Sequence, residues 1–421
     1  MNGRPGFREA LKLWLRIGFI SFGGPAGQIA ILHKEVVEKR GWMDEARFTS
    51  GLSFCTFLPG PEAQQLATYI GWTLHGYRGG IAAGILFFLP AALLLLVLSF
   101  IRAAYGNLEV VAALLWGLRA IIVAILADAV LGMSKKRLVS RGGVILAVLA
   151  FVLSFGLRIP FPFVVLGAGL VGLIVPRFAA ALSAAASPGE AQASGSALGL
   201  ARLTGVVSCG VLLWLLPWLL LIPLDETASV LRRQYLFFTQ SALVTFGGAY
   251  AVLSYVTQAA VDRFHWLSRA EVIDGLALAE TTPGPLIIVL QYVGFLAAWN
   301  DPRGLPRGVA GTLGALLTTY ATFLPSIVLV LAGAPFVERL TSMRRVGGSL
   351  SAITAAVTGV IASLGLDYFI AVAYHASPRA GVDLPALLLI AAAFIALRRK
   401  IGLGPVLAIG AVTGLLKLFL P

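Results

Sequence analysis

The sequence contains the tripeptide Pro59-Gly60-Pro61 and repeats it as Pro283-Gly284-Pro285, 224 residues later (283 − 59). The same spacing relates Phe22-Gly23-Gly24 to Phe246-Gly247-Gly248. Glycine and proline stand where backbone geometry is constrained, so their matches are harder to explain by chance than matches of Leu or Ala in an apolar chain. The chain is therefore one unit used twice.

The composition is that of a membrane protein. Mean hydropathy is +0.90, and 58% of the 421 residues are hydrophobic while 12% are charged, against about 25% charged in a soluble chain. The net charge of +13 comes from short basic clusters beside apolar segments, which fits orientation in a bilayer better than nucleic-acid binding. The four histidines and two cysteines form no ligand pair, so we expect neither a metal nor a cofactor.

Both copies contain apolar segments that are long enough to enter a bilayer. A further matched pair, Phe88-Leu89-Pro90 and Phe323-Leu324-Pro325, lies at a spacing of 235 (325 − 90). We predict an all-α polytopic integral membrane protein with two repeats and broken or re-entrant helices. Its parts are a first repeat at 1–180, a flexible Ala/Ser/Gly-rich linker at 181–202, a connecting transmembrane helix at 203–230 and a second repeat at 231–421.

The number of segments predicts that the repeats are inverted. Six apolar segments precede the connecting helix, so the second copy would enter the membrane from the opposite face, as in many secondary transporters. With a cytoplasmic N-terminus, the strongest basic clusters fall on the cytoplasmic side: Lys135-Lys136-Arg137, Arg344-Arg345 and Arg398-Arg399-Lys400. The basic loop at 34–47 lies on the cytoplasmic side only if the segments with the glycine and Pro-Gly-Pro motifs turn back within the membrane. The charge pattern therefore favours re-entrant or broken segments.

The prolines Pro59, Pro61, Pro283 and Pro285 remove backbone donors inside apolar segments, so a continuous helix cannot pass. A new helix would start after each motif, and lipid cannot satisfy its first N–H groups. They need water, protein or an anion. The alternative is a plain proline kink whose freed backbone groups bond to neighbouring helices. Matching breaks in two repeats favour a binding site.

Candidate substrate-binding groups lie near these breaks. Gly60 and Gly284 would open backbone donors, and three glutamines would add side-chain amides: Gln64, Gln65 and Gln291. The glycine pairs allow close backbone approach to a substrate, although a glycine pair fits a helix-packing notch equally well. These pairs are Gly23 with Gly24 and Gly247 with Gly248.

Arg119 lies well inside an apolar segment and is the preferred anion ligand. Its guanidinium stays charged and presents a fork of donors that suits an oxyanion. The alternative role is a buried ion pair, for which the sequence offers Asp128, Glu62 or Glu280 as partners.

Two carboxylates near the breaks distinguish the copies. Glu62 follows the first Pro-Gly-Pro, where the second copy has Leu286, and Glu280 precedes the second, where the first copy has Thr56. A charge at the bilayer centre costs about 2.5 to 3.5 kcal/mol on insertion scales, so each needs a role. We assign both to proton coupling. Glu62 could instead complement the dipole of its own helix.

Several of these motifs resemble the chromate ion transporter family, in its long two-domain form. The resemblance rests on Phe22-Gly23-Gly24-Pro25, on the run from Phe57 to Trp72, and on Ala279-Glu280-Thr281-Thr282-Pro283-Gly284-Pro285. Position 28 is Gln where many members carry His, so no imidazole role carries over. The resemblance implies a protein of the bacterial inner membrane that exports chromate, driven by the proton-motive force, with sulfate as a similar oxyanion.

The residues alone predict a gradient-driven anion transporter that works by alternating access. No nucleotide-binding loop appears, so ATP is not expected as its energy source. Chromate and sulfate are tetrahedral dianions of similar size, so the alternative is a sulfate or other oxyanion transporter. A more remote alternative is a membrane enzyme acting on a lipid, but no nucleophile with an adjacent base supports it. A homodimer is compatible with the sequence.

Overall fold

The structure is a computed structural model, and it describes residues 5–22, 24–138, 140–175, 197–223, 229–246, 248–337, 344–374 and 381–419. Within these ranges the regular structure is helical, and extended pairing is limited to one isolated bridge between Tyr374 and Val382. The prediction of an all-α fold is confirmed.

Helices follow one another through both copies. The first copy contains α1 (Phe7–Ile20), α2 (Gly24–His33), α3 (Glu45–Phe57), α4 (Glu62–Tyr105), α5 (Glu109–Arg137), α6 (Arg141–Phe151) and α7 (Phe161–Ile174). The connecting helix is α8 (Ala197–Leu221). The second copy contains α9 (Ser229–Leu243), α10 (Ala249–Gln258), α11 (Arg269–Thr281), α12 (Val289–Asn300), α13 (Arg307–Gly333), α14 (Arg344–Ala373), α15 (Leu384–Arg398) and α16 (Leu403–Leu416).

The predicted linker at 181–202 lies outside the described residues as far as residue 196. Its last part is helical, because α8 begins at Ala197.

Five of the described helices are long and apolar enough to cross a membrane: Glu62–Tyr105, Glu109–Lys135, Arg202–Leu221, Arg307–Phe336 and Gly347–Ala373. Shorter apolar helices, such as α7 and α16, accompany them. The connecting helix α8 exposes large apolar side chains along its length, including Leu212, Leu216 and Leu220. A soluble surface seldom carries such a continuous apolar face. These features are those of a multi-pass membrane protein.

The helix α4 is a hairpin of two antiparallel arms. Its backbone leaves the helical region at His75 and Gly76, where Gly76 has a φ of 63°. A Cβ atom on Gly71 would collide with the carbonyl oxygen of Gly79, and a Cβ on Gly79 would collide with that of Gly71. In a straight helix, eight residues would span about 12 Å. The glycines therefore let the two arms touch backbone to backbone.

The second copy builds the same hairpin from α12 and α13. Here Gly294 and Gly314 face each other, and a Cβ on Gly314 would collide with the carbonyl oxygen of Gly294. The turn between the helices contains Gly304 with a φ of 84°. The two copies therefore share a helix hairpin that directly follows the Pro-Gly-Pro motif.

The later helices of each copy pack against later helices of the other copy. Helix α5 packs against α15 and α16 of the second copy, whereas α14 packs against α6 and α7 of the first. The start of α14 follows that of α5 by 235 residues (344 − 109), the spacing of the Phe-Leu-Pro motif. Such reciprocal contacts are what a two-fold relation between the copies produces. Small residues allow the close approach, for example Gly117 against Gly410.

We predict that Gly71→Ala destabilises the protein, because the new methyl group has no space between the arms of α4. Overpacking of this kind typically costs about 1 to 3 kcal/mol. Thermal unfolding in detergent, followed by tryptophan fluorescence, measures the effect.

The matched control is Gly132→Ala in α5, where a Cβ meets nothing within 4 Å. That change should leave the melting temperature equal or slightly higher, because alanine stabilises a helix by about 1 kcal/mol relative to glycine. Equal melting temperatures for both variants would contradict the close backbone contact between the two arms of α4.

Candidate functional site

Both Pro-Gly-Pro motifs interrupt the helical path. Helix α3 ends at Phe57 and α4 begins at Glu62, while α11 ends at Thr281 and a short 3₁₀ turn begins at Leu286. The central glycines, Gly60 and Gly284, have φ values of 131° and 112°, a region that residues with a Cβ rarely adopt. The structure therefore has two breaks here rather than two kinked helices.

Each Pro-Gly-Pro motif is hydrogen-bonded to the other copy. The amide of Gly60 donates to the carbonyl oxygen of Thr245 at 2.8 Å, and the amide of Gly284 donates to that of Ser21, also at 2.8 Å. Ser21 and Thr245 directly precede the two Phe-Gly-Gly motifs and are themselves 224 residues apart (245 − 21). The break of one copy is thus completed by the glycine segment of the other.

A second exchange packs each central glycine on the opposite hairpin. A Cβ on Gly60 would lie 3.0 Å from Ser326 Oγ, and a Cβ on Gly284 would lie 2.5 Å from the Cβ of Ala91. Ser326 and Ala91 are related by the spacing of 235 (326 − 91). Between the hairpins, the rings of Phe88 and Phe323 stack with centroids 4.0 Å apart. These two phenylalanines stand at matched positions of the two copies, at the same spacing of 235 (323 − 88).

Gln28 adds a third tie between the copies. Its side chain is buried in α2 and donates to the carbonyl oxygens of Gly284 at 2.6 Å and Ser21 at 3.4 Å. Sequence reasoning assigned no role to Gln28. The available signal was an amide side chain in an apolar helix, at a position where the second copy has Val252.

The side-chain amides predicted to bind substrate also hold the breaks together. Gln64 accepts a hydrogen bond from Ser326 Oγ at 2.8 Å, and Gln65 donates to the Pro59 carbonyl at 2.8 Å. Gln291 donates to the carbonyl oxygen of Ala92 at 2.7 Å. In this conformation, therefore, these glutamines and the amides of the two central glycines bond to protein atoms rather than facing an open site.

The Phe-Gly-Gly segments border open space. Gly23 and Gly247 lie outside the described residues. Gly24 and Gly248 have φ values of 70° and 101°, and a Cβ on either would meet nothing within 4 Å. A helix-packing notch would place a neighbouring helix against the glycine, so the described glycines do not form one. They stand at the start of α2 and just before α10, where backbone N–H groups of a helix are unsatisfied.

Arg119 is ion-paired with Asp274, a residue that sequence reasoning did not single out. Its Nε and Nη2 atoms lie 2.5 and 2.9 Å from the two carboxylate oxygens. A second guanidinium, that of Arg102, donates to Asp274 Oδ2 at 2.8 Å. The partners expected for an ion pair were Asp128, Glu62 and Glu280, and none of them is the carboxylate found here. Asp274 comes from the other copy, 155 residues away.

Burial differs sharply within this cluster of Arg102, Arg119 and Asp274. The Asp274 side chain is 0% exposed, whereas those of Arg102 and Arg119 are 15% and 28% exposed. The arginine side chains are therefore partly accessible, whereas the carboxylate that they bond to is fully enclosed.

Glu280 lies on the last turn of α11, directly before the second break, and is 7% exposed. The hydroxyl of Tyr250 donates to its Oε1 at 2.5 Å. None of the ion pairs found among the described residues includes Glu280. Glu62 is half-buried in the first turn of α4, where a carboxylate complements the helix dipole. The two carboxylates thus lie on opposite sides of their respective breaks.

Comparison with known proteins places the chain among transporters. The profile of the chromate transporter family matches residues 8–173 and 232–416. A probable chromate transport protein of Synechococcus elongatus is 27% identical over 84% of this chain and 82% of its own length. A chromate transport protein of Pseudomonas aeruginosa is 29% identical over 86% and 80%. An uncharacterized transporter of Methanocaldococcus jannaschii is 26% identical over 99% and 95%.

No solved structure matches the chain. The family profile covers most of both copies, including the two breaks and the arginine cluster. The chain therefore belongs to the chromate transporter family.

Proposed function

We propose that this protein exports chromate from the cytoplasm by alternating access at the paired Pro-Gly-Pro breaks, driven by the proton-motive force. The observation that carries the proposal is the reciprocal bonding of each break to the glycine segment of the other copy. A site formed between two equivalent halves can open to either side of the membrane when one half moves relative to the other. Two relatives are named for chromate transport, which supports this oxyanion as substrate.

The copies would be inverted across the bilayer of a bacterial inner membrane, with the N-terminus in the cytoplasm. The two-fold exchange of helices supports this arrangement, provided that its axis lies in the membrane plane. The predicted cytoplasmic position of the basic clusters at 135–137 and 398–400 supports the orientation.

The substrate would bind beside the two glycine segments. Open space lies next to Gly24 and Gly248, and the helices α2 and α10 begin there. Helix N-termini attract anions because their N–H groups and dipoles point outward. No side chain caps the start of α10 at Gly248. Gln64, Gln65 and Gln291 would exchange their present bonds for the substrate when the breaks separate.

Charge at the site would come from Arg119 and proton coupling from the carboxylates. Arg102, Arg119 and Asp274 together carry one more positive than negative charge, which favours an anion nearby. Glu280 is buried beside a neutral phenol, an environment in which a carboxyl can hold a proton until the pathway opens. Glu62, which is half-buried after the first break, would take up and release a proton there.

We predict that Arg119→Ala and Gly60→Leu each lower chromate uptake into everted vesicles by about tenfold or more, equivalent to at least 1.4 kcal/mol. The first removes a two-bond guanidinium contact, and the second places a side chain against Ser326 at a positive φ. Insertion levels are matched by immunoblot.

The control is Arg16→Ala, since Arg16 is an exposed arginine in the first apolar segment. Wild-type uptake by both test variants would refute the proposed site. The same vesicles, with sulfate competing and the pH gradient and potential collapsed separately, decide between chromate and sulfate and identify the driving force.

We predict that Glu280→Gln abolishes the dependence of chromate transport on the pH gradient. The amide retains a hydrogen bond with Tyr250 but carries no exchangeable charge. Proteoliposomes with an imposed pH gradient at zero potential measure this directly. Glu109→Gln, at an exposed helix start, is the control. A variant that still responds fully to the pH gradient would exclude Glu280 from coupling.

A further inference from the structure

We propose that Asp274 is a resident counter-ion: its carboxylate occupies Arg102 and Arg119 when no substrate is bound, and the oxyanion displaces it from them. This inference rests on the proposed function, because it requires that the substrate is an oxyanion. It adds two residues, Asp274 and Arg102, to the binding machinery and gives Tyr292 a role.

The bonds made by Asp274 resemble those that an oxyanion would make. Arg119 contacts both carboxylate oxygens through two nitrogens, and Arg102 adds a third bond to Oδ2. Two-bond contacts of this kind suit a carboxylate or a tetrahedral oxyanion equally well, because the oxygen spacing is similar. Each guanidinium has five N–H donors, so most donors of the two arginines are not used by Asp274.

Access favours exchange at the arginines. Asp274 is fully buried, while the side chains of Arg102 and Arg119 are partly exposed. An anion can therefore contact both arginines before the carboxylate moves.

The charges around Asp274 support a switch of partner. Arg102 of α4 and Arg119 of α5 bond to it directly, and Tyr292 of α12 packs against the next residue, Gly275. Its own helix contributes Glu271, which caps that helix by bonding to Ser268. Two guanidiniums match the two charges of chromate or sulfate. Without substrate, the single carboxylate of Asp274 bonds to both guanidiniums and neutralises one of their two charges.

The ring of Tyr292 packs against Gly275, the residue that follows Asp274 in the chain, and in the proposed exchange its hydroxyl receives the displaced carboxylate. Its hydroxyl is buried and has no hydrogen-bond partner among the described residues. Buried hydroxyls are nearly always bonded, so an unbonded one needs an explanation. A donor that waits for Asp274 in the substrate-bound state supplies one. The other explanation of the cluster is a fixed ion pair that only joins α4, α5 and α11.

The test compares Asp274→Asn with wild type in purified form and in proteoliposomes. Without the competing charge, we expect chromate to bind about tenfold more tightly, measured by calorimetry. Return of the empty carrier with two unpaired guanidiniums should become slow. The ratio of chromate–chromate exchange to net efflux should therefore rise about tenfold. Asp301→Asn, which breaks an exposed pair with Arg303, should change neither quantity.

A fixed ion pair predicts the opposite result: weaker or equal binding, with exchange and net efflux falling together. That outcome would overturn the inference while leaving the proposed function intact. Wild-type protein that moves neither chromate nor sulfate would overturn both.

Tyr292→Phe provides a second test if Asp274→Asn does not fold, because the hydroxyl it removes is unbonded in this state. We expect chromate affinity to fall about threefold to tenfold, since the displaced carboxylate loses its donor. Wild-type affinity in Tyr292→Phe would overturn the inference.

Discussion

The structure depends on the need to satisfy backbone groups that proline and glycine release inside an apolar body. At each Pro-Gly-Pro motif the helical ladder stops, and lipid offers no replacement donor or acceptor. The replacement comes from the other copy, through the bonds from Gly60 to Thr245 and from Gly284 to Ser21. At both breaks the amide of the central glycine bonds to the other copy rather than to its own. The exchange of α5 and α14 with the last helices of the opposite copy extends the same dependence to the rest of the molecule.

This constraint also explains why the site is asymmetric although its frame is not. The backbone contacts at the breaks repeat at constant spacings, because both copies must solve the same geometric problem. Side chains that do not take part in these backbone contacts can differ between the copies. Gln28 and Glu280 each appear in one copy only, and the position equivalent to Asp274 in the first copy is Ser50 (274 − 224). The frame of the breaks therefore repeats between the copies, whereas the charges around it do not.

Local features of the sequence predicted the breaks well and the ion pairs poorly. Proline and glycine act on the backbone within a few residues, so the ends of α3 and α11 follow from Pro59 and Pro283 almost directly. The pairing of Arg119 depends on which helix faces α5, and that choice depends on the packing of the whole chain. The sequence showed only the apolar surroundings of Arg119 and offered as partners Asp128, on the same helix, and Glu62 and Glu280, near the breaks. Asp274, on the second turn of a helix in the other copy, was missed.

The sequence by itself determined the duplication, the helical class, the membrane setting and the positions of the four prolines at the two helix breaks. These properties depend on composition, on exact spacing and on local backbone chemistry. The tertiary structure alone decided that the breaks are bonded across the copies, that the predicted amides are already occupied, and that Arg119 shares Asp274 with Arg102. The reason is physical: hydrogen bonds and ion pairs between distant segments exist only once packing has brought the helices together, and no local pattern encodes that arrangement.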